Sequence, residues 1–238
     1  MKKKCLLRIL ILMGGSLVAA DATPEEEAVA AAKNLGQQAN YSWKTVIVVP
    51  EGAPFRPGPM QGKTEKDGFT QVAGTFGDNS WEIVRQGEKV ALNSGDDGWQ
   101  SMAEVEKGEG PARFRAAMAR NLKVPAVQAD DLAAGAKDLK KEGDLYSSPL
   151  TEDAAKSLLT FRRNGGEGAT VTNPAGSVRF WLKDGVLAKY EFQVKGTVNF
   201  NGNEFQNDRT TTVEISGVGT TKVEVPAEAK KKLEAKGT

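Results

Sequence analysis

Few residues in this chain can do chemistry, and their types are narrow. No histidine occurs anywhere in its 238 residues, which removes Ser-His-Asp and Cys-His catalysis together with the commonest metal ligand. The single cysteine, Cys5, lies ahead of an apolar run near the start. Adjacent carboxylates stand at Asp96-Asp97 and Asp130-Asp131. They read as a turn and a helix start, because a calcium or glycosidase site needs more oxygen ligands or a fixed carboxylate separation. The run RRNGGEG at residues 162–168 could cradle an anion through its backbone N–H groups, yet it lacks the strand before and the helix after that a phosphate loop requires. It reads as a flexible connection. The AKKKLEAK near the end reads as a solvated helix face. No metal site and no cofactor is expected, and an enzyme working through carboxylates is the only catalytic reading left.

Lys2, Lys3 and Lys4 followed by the apolar residues 9–20 have the form of a cleaved export signal, with processing after Ala20 or Ala22. The run is shorter than the ~20 residues that span a bilayer. Because Cys5 precedes it, it is not the acylated cysteine of a lipoprotein signal, and the processed chain has no thiol. Residues 1–22 are therefore expected to be a signal peptide and residues 23–238 one domain, exported to the periplasm without a lipid anchor. Loss of Lys2, Lys3, Lys4, Arg8 and Asp21 leaves 28 basic side chains (32 less four) against 30 acidic ones (31 less one). That balance supplies no basic field for nucleic acid, and the remaining length is enough to bury a core.

The elements that would position a site are mostly strands. In FWLKDGVLAKYEFQV, Val178, Phe180 and Leu182 alternate with Arg179, Trp181 and Lys183, and Val186, Ala188, Tyr190, Phe192 and Val194 alternate with polar or charged neighbours and Leu187. Such alternation marks half-buried antiparallel strands. A two-residue Asp184-Gly185 turn would put the two apolar sets on opposite faces. A three-residue Lys183-Asp184-Gly185 loop with Gly185 in a bulge restores them, facing Phe180 with Ala188 and Val178 with Tyr190. The Asn201-Gly202 turn then pairs Phe200 with Asn203, Phe192 with Thr211 and Tyr190 with Val213. Three long strands thus share one oily face.

Upstream, Thr23-Pro24-Glu25-Glu26 opens a helix with Val29, Ala32 and Leu35 as its stripe. A strand follows over residues 41–49, then a proline-rich loop carrying Phe55. A meander comes next, punctuated by Asp67-Gly68, Gly77-Asp78-Asn79 and Gln86-Gly87, the last pairing Ile83 with Val90 and Trp81 with Leu92. The middle reads as helical. Pro111 opens a helix with Phe114, Ala117, Met118 and Leu122 on one face, Val127, Leu132 and Leu139 suggest a second, and Thr151 caps a third. Pro226 precedes a short basic helix. The register from Asn201-Gly202 puts Arg209 on the oily side with Phe205, Thr211 and Val213. An arginine there must reach a partner, a ligand headgroup or the rim. The simpler reading is that the ladder frays before Arg209 and its side chain meets water.

This order of elements, with GEKVALNSGDDGW, GSVRFWLKDGVLAKYEFQVKG and TTTVEISGVGTTKVEVPAEAKK, resembles the periplasmic lipoprotein-carrier superfamily of LolA-like and LppX-like half-barrels. The resemblance implies an α+β fold: a curved antiparallel sheet, an incomplete β-barrel, with helices covering its concave face. It also implies a soluble carrier of a hydrophobic, acyl-bearing ligand such as a lipoprotein or lipid, with a transient membrane-protein donor or acceptor. Candidate ligand-binding residues are Trp43, Trp81, Phe114, Met118, Phe180, Tyr190, Phe192, Phe200 and Arg209. The competing reading is an exported interaction or scaffold domain of the same fold with a filled core.

Overall fold

The computed structural model describes residues 22–53, 56–160, 170–200 and 202–234. Residues 1–21, where the export signal was expected, Phe55, the RRNGGEG run and Asn201 lie outside them. Within them the strands are β1 (Asn40–Val48), β2 (Met60–Glu65), β3 (Thr70–Phe76), β4 (Asn79–Gln86), β5 (Lys89–Asn93), β6 (Trp99–Ser101), β7 (Lys140–Glu142), β8 (Leu145–Pro149), β9 (Thr170–Lys183), β10 (Val186–Phe200) and β11 (Asn203–Ser216). All join one antiparallel sheet in the order β6-β5-β4-β3-β2-β1-β11-β10-β9-β8-β7. Each strand pairs with its chain neighbour, and the one long-range join, β1 with β11, sets two meanders side by side. Since β6 and β7 do not pair, the sheet is open, and with its helices it forms the expected α+β half-barrel.

The helices are α1 (Pro24–Gln37), α2 (Met102–Lys107), α3 (Pro111–Asn121), α4 (Pro125–Ala134), α5 (Glu152–Leu159) and α6 (Ala227–Glu234). Thr23 and Glu26 close a capping box on α1, which buries Ala28, Ala31, Ala32 and Leu35 and leaves Val29 half-buried. Helix α1 packs on α4 and against β9 and β10, and α5 also lies on β9 and β10. A smaller second core forms on the opposite face of the sheet, where Ala229 and Leu233 of α6 cover Val84, Ala91 and Trp99. Asp130 and Asp131 fall in the second half of α4 and not at a helix start, while Asp96-Asp97 sits in a short 3-10 turn as expected.

The β9–β10 hairpin corrects the expected turn. Asp184 and Gly185 both have positive φ, 52° and 74°, and form a two-residue connection that pairs Lys183 with Val186 and Leu182 with Leu187. Aspartate tolerates the left-handed region well enough to make this twist-matched turn available. The register conflict is resolved further along by a bulge between Leu187 and Lys189, after which Tyr190 faces Phe180 and Phe192 faces Val178. Leu187 is thereby buried, and Val186 is left exposed. The β10–β11 register matches the expected one, with Phe200 opposite Asn203 and Phe192 opposite Thr211. In β4–β5 the turn shifts to Gly87-Glu88, so that Ile83 meets Leu92 and Arg85 meets Val90. A slip of two residues keeps every side chain on its face, so the apolar pairing survives.

The β7–β8 hairpin was not expected from the sequence. Its three-residue β7 is exposed throughout and carries no apolar alternation. Ser148 of β8 instead fixes the preceding chain by accepting from the backbone N–H groups of Lys137 and Asp138, both at 3.1 Å.

Candidate functional site

The concave face is mostly apolar, and its two wings are packed differently. On the β9–β11 side Phe180, Tyr190 and Val194 have no exposure and Phe192 has 4%. Tyr190 Oη donates to Gln128 Oε1 of α4 at 2.7 Å, tying the sheet to its cover, and burial pushes the phenol well above its ordinary pKa. Tyr41 of β1 performs a similar service. Its hydroxyl accepts from the Ala126 N–H in the first turn of α4 at 3.4 Å, and burial raises its pKa to about 12. Thus Phe180, Tyr190 and Phe192 lie in a closed part of the core. Phe200 lies at the end of β10.

The tryptophans rest on glycines. Trp43 stands opposite Gly62 across β1–β2, and Trp81 opposite Gly74 across β3–β4. A Cβ at Gly62 would fall 2.1 Å from Trp43 Cε2 and Cζ2, so the absent side chain is the space the indole fills. Trp81 continues outward as a stack: Phe76 lies 5.7 Å away at 23°, and Phe114 of α3 lies 6.4 Å from Phe76 at 60°.

Helix α3 sits over this wing more loosely than α1 and α4 sit over theirs. It buries only Ala116 and Ala119, where α1 buries four residues and α4 five. Phe114, expected to turn inward, is 45% exposed. Met60, Phe76, Met102, Met118 and Leu122 are half-buried against the core. Of the predicted residues, the structure links Trp81 to Phe114 through Phe76, places Met118 on the same helix as Phe114, and sets Trp43 in the central strand β1.

Two inward-facing arginines bind helix ends. Arg209 does not reach water past a frayed ladder, because β11 pairs with β10 on both sides of it. Its Nη2 donates to the Leu158 carbonyl at the end of α5 at 2.6 Å, and its Nη1 to Asn207 Oδ1 at 3.2 Å. The carbonyls of a last helical turn lack intrahelical partners and carry the negative end of the dipole, which suits a cation. Arg85 of β4 does the same for α3, donating to the Leu122 carbonyl at 3.0 Å and to those of Ala119 and Arg120. Burial lowers the pKa of both guanidiniums. Arg85 was missed in the sequence, although it shares the parity of Trp81 and Ile83 and the argument made for Arg209 applies to it. Beside it a surface groove of about 290 Å³ is lined by Arg85, Gly87, Glu88, Val90, Met102 and Arg120.

An open antiparallel sheet with helices laid across an aromatic concave face defines the architecture: an α+β half-barrel. Similar solved structures include the Mycobacterium tuberculosis lipoprotein LppX, at 8% identity and a TM-score of 0.47, covering 85% of this chain and 98% of that one. LprF from Mycobacterium bovis is similar at 10% identity and a TM-score of 0.43, covering 87% and 97%. A LolA superfamily protein from Nitrosomonas europaea is similar at 11% identity and a TM-score of 0.32, covering 85% and 96%. No protein-family model matches the sequence, and no curated protein matches it.

Proposed function

We propose that this protein is a periplasmic carrier that takes up an acyl-chain ligand between α3 and strands β2–β5, without performing chemistry on it. The observation that carries this reading is the column Trp81–Phe76–Phe114. It runs from the closed core to a ring that is 45% exposed, with Met60 beside Trp81 and the half-buried Met118 four residues after Phe114 on α3. Methionine is flexible and polarisable and repacks around irregular apolar guests, and burial of an acyl chain there yields ~25 cal/mol per Å². No helix among the described residues is long and apolar enough to cross a membrane, and the signal-like first 22 residues support export.

Titration of the delipidated protein with cis-parinaric acid tests this. Saturable binding is expected. Phe114→Ala should weaken it while leaving the denaturant midpoint nearly unchanged, since the ring is half outside the core. Phe192→Ala should act in the opposite sense, lowering stability by ~3–5 kcal/mol through the cavity it leaves. Absence of saturable probe binding by the wild type would overturn the carrier reading in favour of a scaffold domain.

A further inference from the structure

We infer that the groove between the β4–β5 turn and helices α2 and α3 seats an anionic headgroup, phosphate or carboxylate, of an acyl ligand; this rests on the carrier reading above. Arg85 provides the first ground. Its Nη atoms donate to backbone carbonyls only, and among the described residues no carboxylate pairs with it. Its Nε is buried and has no hydrogen-bond partner. The C-terminal dipole of α3 compensates about half a charge at most, so a cation under cover is left with a spare donor. Buried charges are normally paired, and an oxyanion would supply both the charge and the acceptor.

The second ground is the wall of the groove. Arg120 faces the same space, and its ion pair with Glu106 is partly exposed, 39% and 40% for the two side chains, leaving the fork with donors to spare. Val90 and the half-buried Met102 give the groove an apolar side. Glu88 is the acid lining it, and it sits on the exposed turn, where solvent and salt weaken its repulsion.

The test compares oleoyl lysophosphatidate with monooleoylglycerol, which carry the same chain with and without a phosphate, by calorimetric titration of the delipidated full chain. The phosphate-bearing lipid should bind at least about tenfold tighter, the increment of one charge-assisted hydrogen-bonded contact. Arg120→Gln should shrink that gap by weakening the lysophosphatidate alone. Equal affinities, or an Arg120→Gln variant that weakens both lipids alike, would overturn the headgroup site and leave the carrier reading standing. Inorganic phosphate bound without either lipid would make the groove a free-anion site and overturn the carrier reading. Binding of none of the three would overturn both.

Discussion

Gly62→Ala tests whether the central tryptophan is held by the shape of the sheet. An alanine Cβ at this position would stand 2.1 Å from Cε2 and Cζ2 of Trp43 and 2.6 Å from Cη2. Carbon atoms settle at about 3.5–4.0 Å, so the indole must lift by more than an ångström. Two effects oppose each other. Gly62 has no positive φ, so alanine brings no backbone strain and relieves the conformational entropy of a strand glycine by about 0.5–1 kcal/mol. Overpacking a filled core costs about 1–3 kcal/mol, and Trp43 is 6% exposed with Tyr41 only 5.8 Å away, ring centre to ring centre. The clash therefore wins, with a net loss of about 1–2 kcal/mol.

A urea melt followed by far-UV circular dichroism measures that loss, and tryptophan emission reports the displaced ring. Combining Gly62→Ala with Trp43→Leu should recover much of the loss, because a coupled pair in contact is non-additive. At Gly74 the same change should cost less. There the nearest atoms are Trp81 Cζ2 at 2.7 Å and Met60 Cγ at 3.0 Å, and a methionine can give way. A Gly62→Ala protein as stable as the wild type, with unshifted emission, would refute the stacking argument.

The hairpin turns should be sensitive to a Cβ: Gly185→Ala and Gly202→Ala, at φ 74° and 78°, should each lower the urea-derived stability by ~1 kcal/mol, and unchanged midpoints in both would contradict the turn geometry. Acid should loosen the attachment of α6 to α2, because Lys232 donates to both oxygens of Glu104 at 2.7 and 2.9 Å and, with Ser101, holds its pKa at about 2 against an ordinary 4.5. Since the folded value is the lower one, this stabilisation is complete above pH 4.5 and is lost as pH falls toward 2; Glu104→Gln should flatten that limb of a pH-dependent thermal melt.

Strand content and facing were legible because alternation is a period-two signal that survives errors in the turns. The β4–β5 register was misplaced by two residues, and the apolar partners still met. The β9–β10 turn was misread for a physical reason. Local turn chemistry and face matching were assumed to be solved at the same place, whereas Asp184-Gly185 satisfies the first and a bulge at Ala188 the second. What stayed illegible was the short and the polar. Strand β7 has no apolar residue to count, and α6 shows an ordinary basic face until Trp99, Ala91 and Val84 appear beneath its Ala229 and Leu233. The arginines fell between. Parity alone places Arg85 and Arg209 inside, but their partners are carbonyls of α3 and α5, which come from remote parts of the chain.

The unequal packing of the two wings follows from where the polar ties are. On the β9–β11 side the cover is pinned by side chains of fixed geometry. Tyr190 holds Gln128, Tyr41 meets the start of α4, and Glu27 of α1 accepts from Lys141 and Tyr146 of the β7–β8 hairpin. The first two bonds lie under cover, where a lost partner leaves a buried polar group unsatisfied at about 1–3 kcal/mol. On the other wing α3 buries two alanines, each worth roughly one methyl group, ~0.8 kcal/mol, of transfer energy. Its C-terminus is held by Arg85 alone among the charged residues of the strands beneath it. The sheet is therefore closed where its rings are fully covered and more open where Phe76, Met118 and Phe114 are only partly buried. Under the carrier function proposed above, a guest chain would meet the least resistance there, and that proposal rests on Trp81, Phe114 and Met118 more than on Phe180, Tyr190 and Phe192.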